Sequence, residues 1–234
     1  MNLLYPRRCP VCGDIVSPPK NMIHPSCISR LSPVKPPSCK KCGKEVISDR
    51  IEYCYDCSRH PHTFDQGLAL LNYNEAARHS MAAIKYKNRR EYLDFYAGAI
   101  DCRFRKTVLR MGASALIPVP IHPSRRRKRG YNQAEELADR LSVLWQIPVD
   151  TGLLIRKKKT APQRELNPEE RLKNLREAFA VDAEYARASG IPSTVILVDD
   201  IYTTGSTMEA CTRALKQAGV KRVYFVTVCI GAGR

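Results

Sequence analysis

Eight side chains able to bind a soft metal ion fall at a fixed interval in the first quarter of the chain: Cys9, Cys12, His24, Cys27, Cys39, Cys42, Cys54 and Cys57. Each pair encloses two residues and eleven separate one pair from the next, so the pairs recur every 15 residues. A two-residue gap lets one tight backbone turn offer two ligands to a single tetrahedral ion. Eight ligands make two sites, and equal intervals alone leave the pairing of pairs open. A longer repeat decides it. Gly13 and Gly43 follow the first and third pairs, whereas Ile28 and Ser58 follow the second and fourth, and Pro6 and Pro36 precede in the same register, so the repeating unit is 30 residues. One site is then Cys9, Cys12, His24 and Cys27, and the other Cys39, Cys42, Cys54 and Cys57. A disulfide scaffold is the competing reading. The opening MNLLYPRRCP does not read as a secretory leader, and thiolates at this spacing suit zinc better. Two structural Zn²⁺ ions are expected. His60 and His62 lie off the repeat. Cys102, Cys211 and Cys229 stand alone in apolar stretches and are expected in the core.

The second segment with chemistry in it is ILVDDIYTTGST, 196–207. A buried apolar strand delivers Asp199 and Asp200 to its carboxyl end, where ligands of parallel sheets bind. The hydroxyls of Thr203, Thr204, Ser206 and Thr207 can donate to a phosphate. Gly205 lets the backbone close around one, and the helix that follows adds unpaired N–H groups and its positive end. Carboxylates repel phosphate, so the acid pair suits the two hydroxyls of a ribose, directly or through Mg²⁺ and water. A 5-phosphorylated ribose fits the whole set. A third segment, RRRKRGY at 125–131, is a basic cluster of the kind that attracts phosphates.

The elements that must hold these residues follow from periodicity. Helices are expected over 75–87, 90–106, 132–145, 168–179 and 206–219, strands over 116–120, 149–155, 194–202 and 222–230, and loops over 125–131 and 156–168. Strands alternating with helices make an α/β fold with a mostly parallel sheet. The first 60 residues lack helical periodicity, and the texture changes near Thr63. The expected organisation is a zinc domain over 1–62 and an α/β domain over 63–234.

The 234 residues carry a formal charge of +16, from 39 basic and 23 acidic side chains, with 44% hydrophobic residues. That balance describes a folded protein whose field attracts phosphates. IKYKNRR (84–90), RFRK (103–106), RRRKR (125–129) and RKKK (156–159) hold much of the charge. No apolar run approaches the roughly 18 residues of a membrane span, so a cytoplasmic location is expected.

ILVDDIYTTGST resembles the phosphoribosyl-diphosphate (PRPP) motif of type I phosphoribosyltransferases. IPVPIHPSRRRKRGYNQAEELA (117–138), the flexible-loop pattern Arg156, Thr160, Gln163, Leu166, Arg171, Asn174 and Phe179, and the cysteine pairs together resemble the ComF family, competence-associated proteins with an N-terminal double zinc ribbon. The departure is His24, where a cysteine is more usual. The resemblance implies that Asp199 and Asp200 hold the ribose hydroxyls and Thr203, Thr204, Gly205, Ser206 and Thr207 the 5-phosphate, with Mg²⁺ accompanying PRPP. It implies that Arg129, Gly130 and Tyr131 form the pyrophosphate loop.

Three functions compete. One is a DNA-uptake protein that keeps the sugar-phosphate site for binding and holds single-stranded DNA with its zinc module and with Arg125, Arg126, Arg127 and Lys128. A competence helicase or other uptake protein would be its partner. Another is a phosphoribosyltransferase, in which Asp199 and Asp200 stabilise a cationic transition state. The third is a zinc-mediated adaptor. Charge and resemblance favour the first. No base-recognising insertion is apparent, so no acceptor can be named.

Overall fold

The computed structural model describes residues 6–157 and 178–231. Four strands, β1 (Gln66–Asn72), β2 (Ala115–Pro118), β5 (Thr194–Tyr202) and β6 (Arg222–Ile230), form one sheet in the order β1-β6-β5-β2, every neighbouring pair parallel. β3 (Leu154–Arg156) and β4 (Phe179–Val181) form a separate antiparallel pair. The helices are α1 (Pro25–Ile28), α2 (Tyr55–Arg59), α3 (Glu75–Lys87), α4 (Tyr92–Met111), α5 (Pro123–Arg129), α6 (Gln133–Trp145), α7 (Ala183–Ser189) and α8 (Ser206–Ala218).

Alternation along the strands builds two apolar layers. Leu68, Leu70, Leu116, Ile196, Val198, Val226 and Val228 face one way, onto Met81, Ile84, Leu93, Tyr96, Leu137 and Leu141 of α3, α4 and α6. Ala69, Ile117, Val195, Leu197, Val223 and Phe225 face the other way, onto Met208, Cys211 and Leu215 of α8 and onto Leu154 and Phe179 of the antiparallel pair. Leu116, Ile196, Leu197 and Val226 are all 0% exposed, and each such side chain contributes about 1.5–3 kcal/mol by burial.

The cysteine-rich region does not hang free of this core. Its first unit packs Val11, Val16, Ile23 and Leu31 into the layer of α3 and α4. Its second packs Val34 and all four of its cysteines into the layer of α8. Between them the chain runs along β1, the edge of the sheet, with Val34 N–H donating to Leu70 O at 3.0 Å and Asn72 N–H to Ser32 O at 2.7 Å. Gly67 N–H donates to Lys41 O at 2.7 Å. The edge strand is therefore covered rather than open to pairing with another chain.

Helix 75–87 and strands 194–202 and 222–230 lie where the sequence puts them, and α6 and α8 differ from expectation by a single terminal residue. Five expectations need correction. Residues 125–129 are helical, not loop, because Pro123 and the His122 ring start α5 and Gly130, at φ 85°, stops it. The second helix runs on to Met111. The strand expected over 149–155 is a single bridge of Val149 to Leu116 followed by short β3. Phe179 belongs to strand β4 rather than a helix end, and Ala178 before it is not helical; residues 168–177 of that expected helix lie outside the described residues. Cys211 and Cys229 are core residues, but Cys102 is exposed.

Candidate functional site

The 30-residue unit reappears in backbone hydrogen bonds. Cys9 N–H donates to Asp14 O at 2.8 Å and Gly13 N–H to Cys9 O at 2.9 Å; Cys39 N–H donates to Lys44 O at 2.7 Å and Gly43 N–H to Cys39 O at 2.9 Å. Both glycines sit at positive φ, 83° and 79°, where a side chain would be strained. The bridges Arg8 to Ile15 and Ser38 to Glu45 are also one unit apart. His24 and Cys54, likewise one unit apart, each precede the first residue of a short helix that carries the last ligand. The repeat thus brings together Cys9, Cys12, His24 and Cys27 in one set and Cys39, Cys42, Cys54 and Cys57 in the other.

In each set the four ligand atoms lie within 4.8 Å of one another. Zinc–sulfur bonds of about 2.3 Å in a tetrahedron put sulfurs about 3.8 Å apart, so both sets fit the ion. In the first, His24 Nδ1 stands 3.3 Å from Cys12 Sγ and Nε2 stands 3.0 Å from Ile15 O. A ring N–H spent on that carbonyl leaves Nδ1 as the ligand atom. His60 and His62 join neither set.

The residues expected to hold a sugar phosphate gather where β5 leaves the sheet. Val195 to Val198 are buried, which carries Asp199 and Asp200 to the carboxyl end of the strand. Asp199 Oδ1 accepts from Asp200 N–H at 2.8 Å. Burial, and then the charge of Asp200, hold the Asp199 carboxyl well above the usual carboxylate range. Asp200 has a hydrogen bond on one oxygen and an ion pair on the other, which has no hydrogen-bond partner. Gln133 Nε2 donates to Oδ1 at 3.0 Å, and the Lys85 ammonium contacts Oδ2. Arg129 in turn donates to Gln133 Oε1. Asn132 makes this junction, capping α6 through Ala134 N–H at 3.1 Å while its amide donates to Val119 O at 3.0 Å, just past β2.

Beyond the acids, Thr203 and Thr204 are exposed, and Thr204 Oγ1 lies 2.9 Å from Ser206 Oγ. Gly205 begins α8 at φ 79° with no side-chain cap, leaving first-turn N–H groups for an anion. A Cβ at Gly205 would collide with the Tyr202 hydroxyl and come within 2.9 Å of His62 Cε1. Glu209 in the next turn accepts from Thr63 N–H at 2.7 Å and from Arg213 Nε at 2.5 Å, with His62 Nδ1 at 3.6 Å. Burial alone would raise its carboxyl, but His62, Thr63 and Arg213 pull it down to about 2.

The remaining expected residues divide. Arg125, Arg126, Arg127 and Lys128 are exposed on α5, with Arg126 paired to Glu135 at 3.0 Å. Gly130 is exposed. Tyr131 is 6% exposed and donates its hydroxyl to Ile84 O, so its ring packs inside and is not free to stack on a base. Arg156 lies over the Phe179 ring, 5.2 Å from its centroid. Thr160, Gln163, Leu166, Arg171 and Asn174, with Lys158 and Lys159, lie outside the described residues. Lys85, Gln133, Tyr202 and Glu209 line this region and were not singled out from the sequence, and His62, weighed there only as a metal ligand, lies here instead. Gln133 sits inside the quoted RGYNQ segment and Lys85 inside a basic run, the only signals either gives.

Two family models match the chain, the double zinc ribbon domain over residues 1–58 and the phosphoribosyl transferase domain over residues 127–234. Competence protein F of Haemophilus influenzae is 29% identical over 227 residues, covering 92% of this chain and 93% of that protein. Over most of its length the chain is thus similar to proteins named competence protein F and ComFC. Competence protein ComFC of Bacillus subtilis, at 29% identity, covers 83% of this chain and 78% of its own length. The DNA utilization protein YhgH of Escherichia coli K12, at 23%, covers 82% and 83%. The first matched domain spans both ligand sets, and the second spans the Asp199–Thr207 loop and the strands β5 and β6 on either side of α8. Among the described residues no helix is long and apolar enough to cross a membrane.

Proposed function

We propose that this chain belongs to the ComF family and acts in DNA uptake as a cytoplasmic PRPP-binding protein that also holds single-stranded DNA. The uncapped start of α8, with Gly205 and the hydroxyls of Thr203 to Thr207 beside Asp199, carries the PRPP reading. The names of the relatives, competence and DNA utilization, supply the setting. Support for a polyanion partner comes from Arg125, Arg127 and Lys128, exposed on α5, and from the second ribbon, where Tyr53 and Tyr55 are 47% and 58% exposed. The Arg59 guanidinium stands 4.8 Å from the Tyr55 ring centroid. Aromatic rings among cations are what single strands stack and neutralise on.

Binding is favoured over turnover by one observation. The Asp200 charge is already met by Lys85, which weakens the field a cationic sugar would feel. PRPP should raise the melting temperature, and Asp199→Asn with Asp200→Asn should abolish that rise with the fold intact. An undiminished rise would remove these carboxylates from the site. Affinity for single-stranded DNA should fall with salt, by about 0.7 in log K per neutralised phosphate. Arg125→Ala, Arg126→Ala and Arg127→Ala together should flatten that slope for all sequences alike. Pyrophosphate release with an acceptor, and no DNA binding at physiological salt, would replace this reading with the enzyme.

A further inference from the structure

Two carboxylates at the end of a strand invite a divalent cation, and Mg²⁺ is held in such places by one or two carboxylates together with substrate phosphates. This acid pair does not fit that role. Asp200 Oδ1 is taken by Gln133 at 3.0 Å, and Oδ2, buried and without a hydrogen-bond partner, faces the Lys85 ammonium as an ion pair. Asp199 Oδ1 is taken by the Asp200 N–H at 2.8 Å. A dication would have to share these oxygens and settle beside an ammonium. Octahedral coordination and like-charge repulsion both argue against it.

We propose that Lys85 is the resident cation of the sugar-phosphate site, supplying from α3 the positive charge that a divalent ion would otherwise bring, so that PRPP binds without Mg²⁺. The inference rests on the PRPP reading of the loop.

The placement of Lys85 is built rather than incidental. Its side chain is 20% exposed and that of Asp200 6%, so the pair sits in a region of low effective dielectric, where its charges are felt strongly. Burial would strip the ammonium of its proton, but Asp200, with Asp199 behind it, more than offsets this and keeps the group charged. α3 is fixed at both ends around it. Asn74 caps its start through Ala77 N–H at 3.0 Å, and Asn88 turns it off at φ 53°. The adjacent Ile84 carbonyl accepts from Tyr131, and Tyr131 lies under the Arg90 guanidinium, 5.0 Å from its centroid. Lys85 is therefore held by the same segment, 129–133, that carries the expected pyrophosphate loop. Arg129 joins it through Gln133. A ligand that carries phosphate on both sides of a ribose meets Lys85, Arg129 and the start of α8 around the acid pair, with cationic charge already in place. Lys85 is a positioning residue: it acts on Asp200 and on the local field.

Titration calorimetry with PRPP, in excess EDTA and in excess Mg²⁺, tests this. The wild type should bind with affinities that agree within about twofold in the two buffers. Lys85→Met should lose about tenfold or more in EDTA, and Mg²⁺ should restore part of it. Lys85→Arg, which keeps the charge, should stay close to wild type in EDTA. Far-ultraviolet circular dichroism and two zinc ions per chain establish that each variant is folded. Wild-type binding that needs Mg²⁺ overturns the role of Lys85 while leaving the PRPP site in place. Equal losses for Lys85→Met in both buffers, or for Lys85→Met and Lys85→Arg alike, also overturn it, since the residue is then only packing. No PRPP binding by the wild type in either buffer sinks the sugar-phosphate reading and this inference with it.

Discussion

The two zinc ribbons share a 30-residue pattern and the same knuckle hydrogen bonds, yet they hold their ligands differently. In the second, Cys39, Cys42, Cys54 and Cys57 are all buried; in the first, Cys12 is exposed and His24 half-buried. The cause is what each unit packs against. The second lies under the sheet face that carries Phe64, Tyr202 and Phe225, with Tyr202 stacked on Phe225 at 5.0 Å and 7°. Burial and the nearby cysteines push the Tyr202 hydroxyl up, which keeps it protonated against Gly205. The first unit packs on α3 and α4, in the opposite layer. A duplicated motif has thus become two things: one ribbon braces the edge of the helical layer, and the other forms the floor beneath the 203–207 loop. His62 and Thr63, the residues leaving the second ribbon, fasten to Glu209 in α8.

That difference is most directly broken by removing one ligand from each site. Cys54→Ser should give one zinc per chain by metal analysis and lose more than about 4 kcal/mol of stability, since an emptied structural site is among the costliest single changes. The PRPP-induced melting shift should vanish with it. Cys9→Ser should also give one zinc per chain, but with a smaller loss of about 2 kcal/mol, of the size typical for a single substitution, and an intact PRPP shift. The opposite pattern, with PRPP sensing lost only in Cys9→Ser, would show that the first ribbon supports the loop.

Much of this was legible before any coordinates. The ligand sets follow from an interval that is strictly kept, and β5 and β6 from apolar runs bounded by turn residues. α6 and α8 carry their own stop and start signals in Asn132, Gly205 and Gly219. What escaped has a common physical reason, which is dependence on residues far along the chain. β1 reads weakly because QGLALLN holds a glycine and an alanine, and the glycine is there for a close contact. A Cβ at Gly67 would run into the Phe225 ring. α5 has no apolar face, so RRRKR reads as a solvated run even though Pro123 and Gly130 mark its ends. Lys85 looks like one more surface cation, and only the fold sets it on Asp200. Cys102 errs in the other direction, because its apolar neighbours on α4 face the core while it faces out.

The link between the second ribbon and the loop is sharpened by Gly205→Ala, a change that touches no zinc ligand. Alanine is strained at φ 79°, and its Cβ would meet the Tyr202 hydroxyl. Two zincs should remain and stability should fall by only about 1–2 kcal/mol. PRPP affinity should fall about tenfold or more, because the start of α8 must shift. Unchanged affinity by calorimetry would mean that the phosphate does not rest on this turn.

The smallest expected effect belongs to His24→Cys, which makes the first ligand set match the second. The ring offers Nδ1 to the site because Nε2 is held by the Ile15 carbonyl at 3.0 Å. Nδ1 is the ring nitrogen nearer the backbone, so it reaches about as far as a thiolate sulfur does, and the longer zinc–sulfur bond, by about 0.2–0.3 Å, makes up part of the remaining difference. A cysteine at 24 should therefore complete the tetrahedron without moving α1. What it gives up is the hydrogen bond to Ile15, and what it adds is a second excess negative charge on a half-exposed cluster. Neither is large at the surface, and the net change in stability should stay within about 1 kcal/mol. Zinc should stay at two per chain, and its release to a chelator should slow, because a fourth soft thiolate replaces the imidazole. A variant that binds one zinc would show that residue 24 reaches the metal through the far nitrogen, which a cysteine cannot imitate.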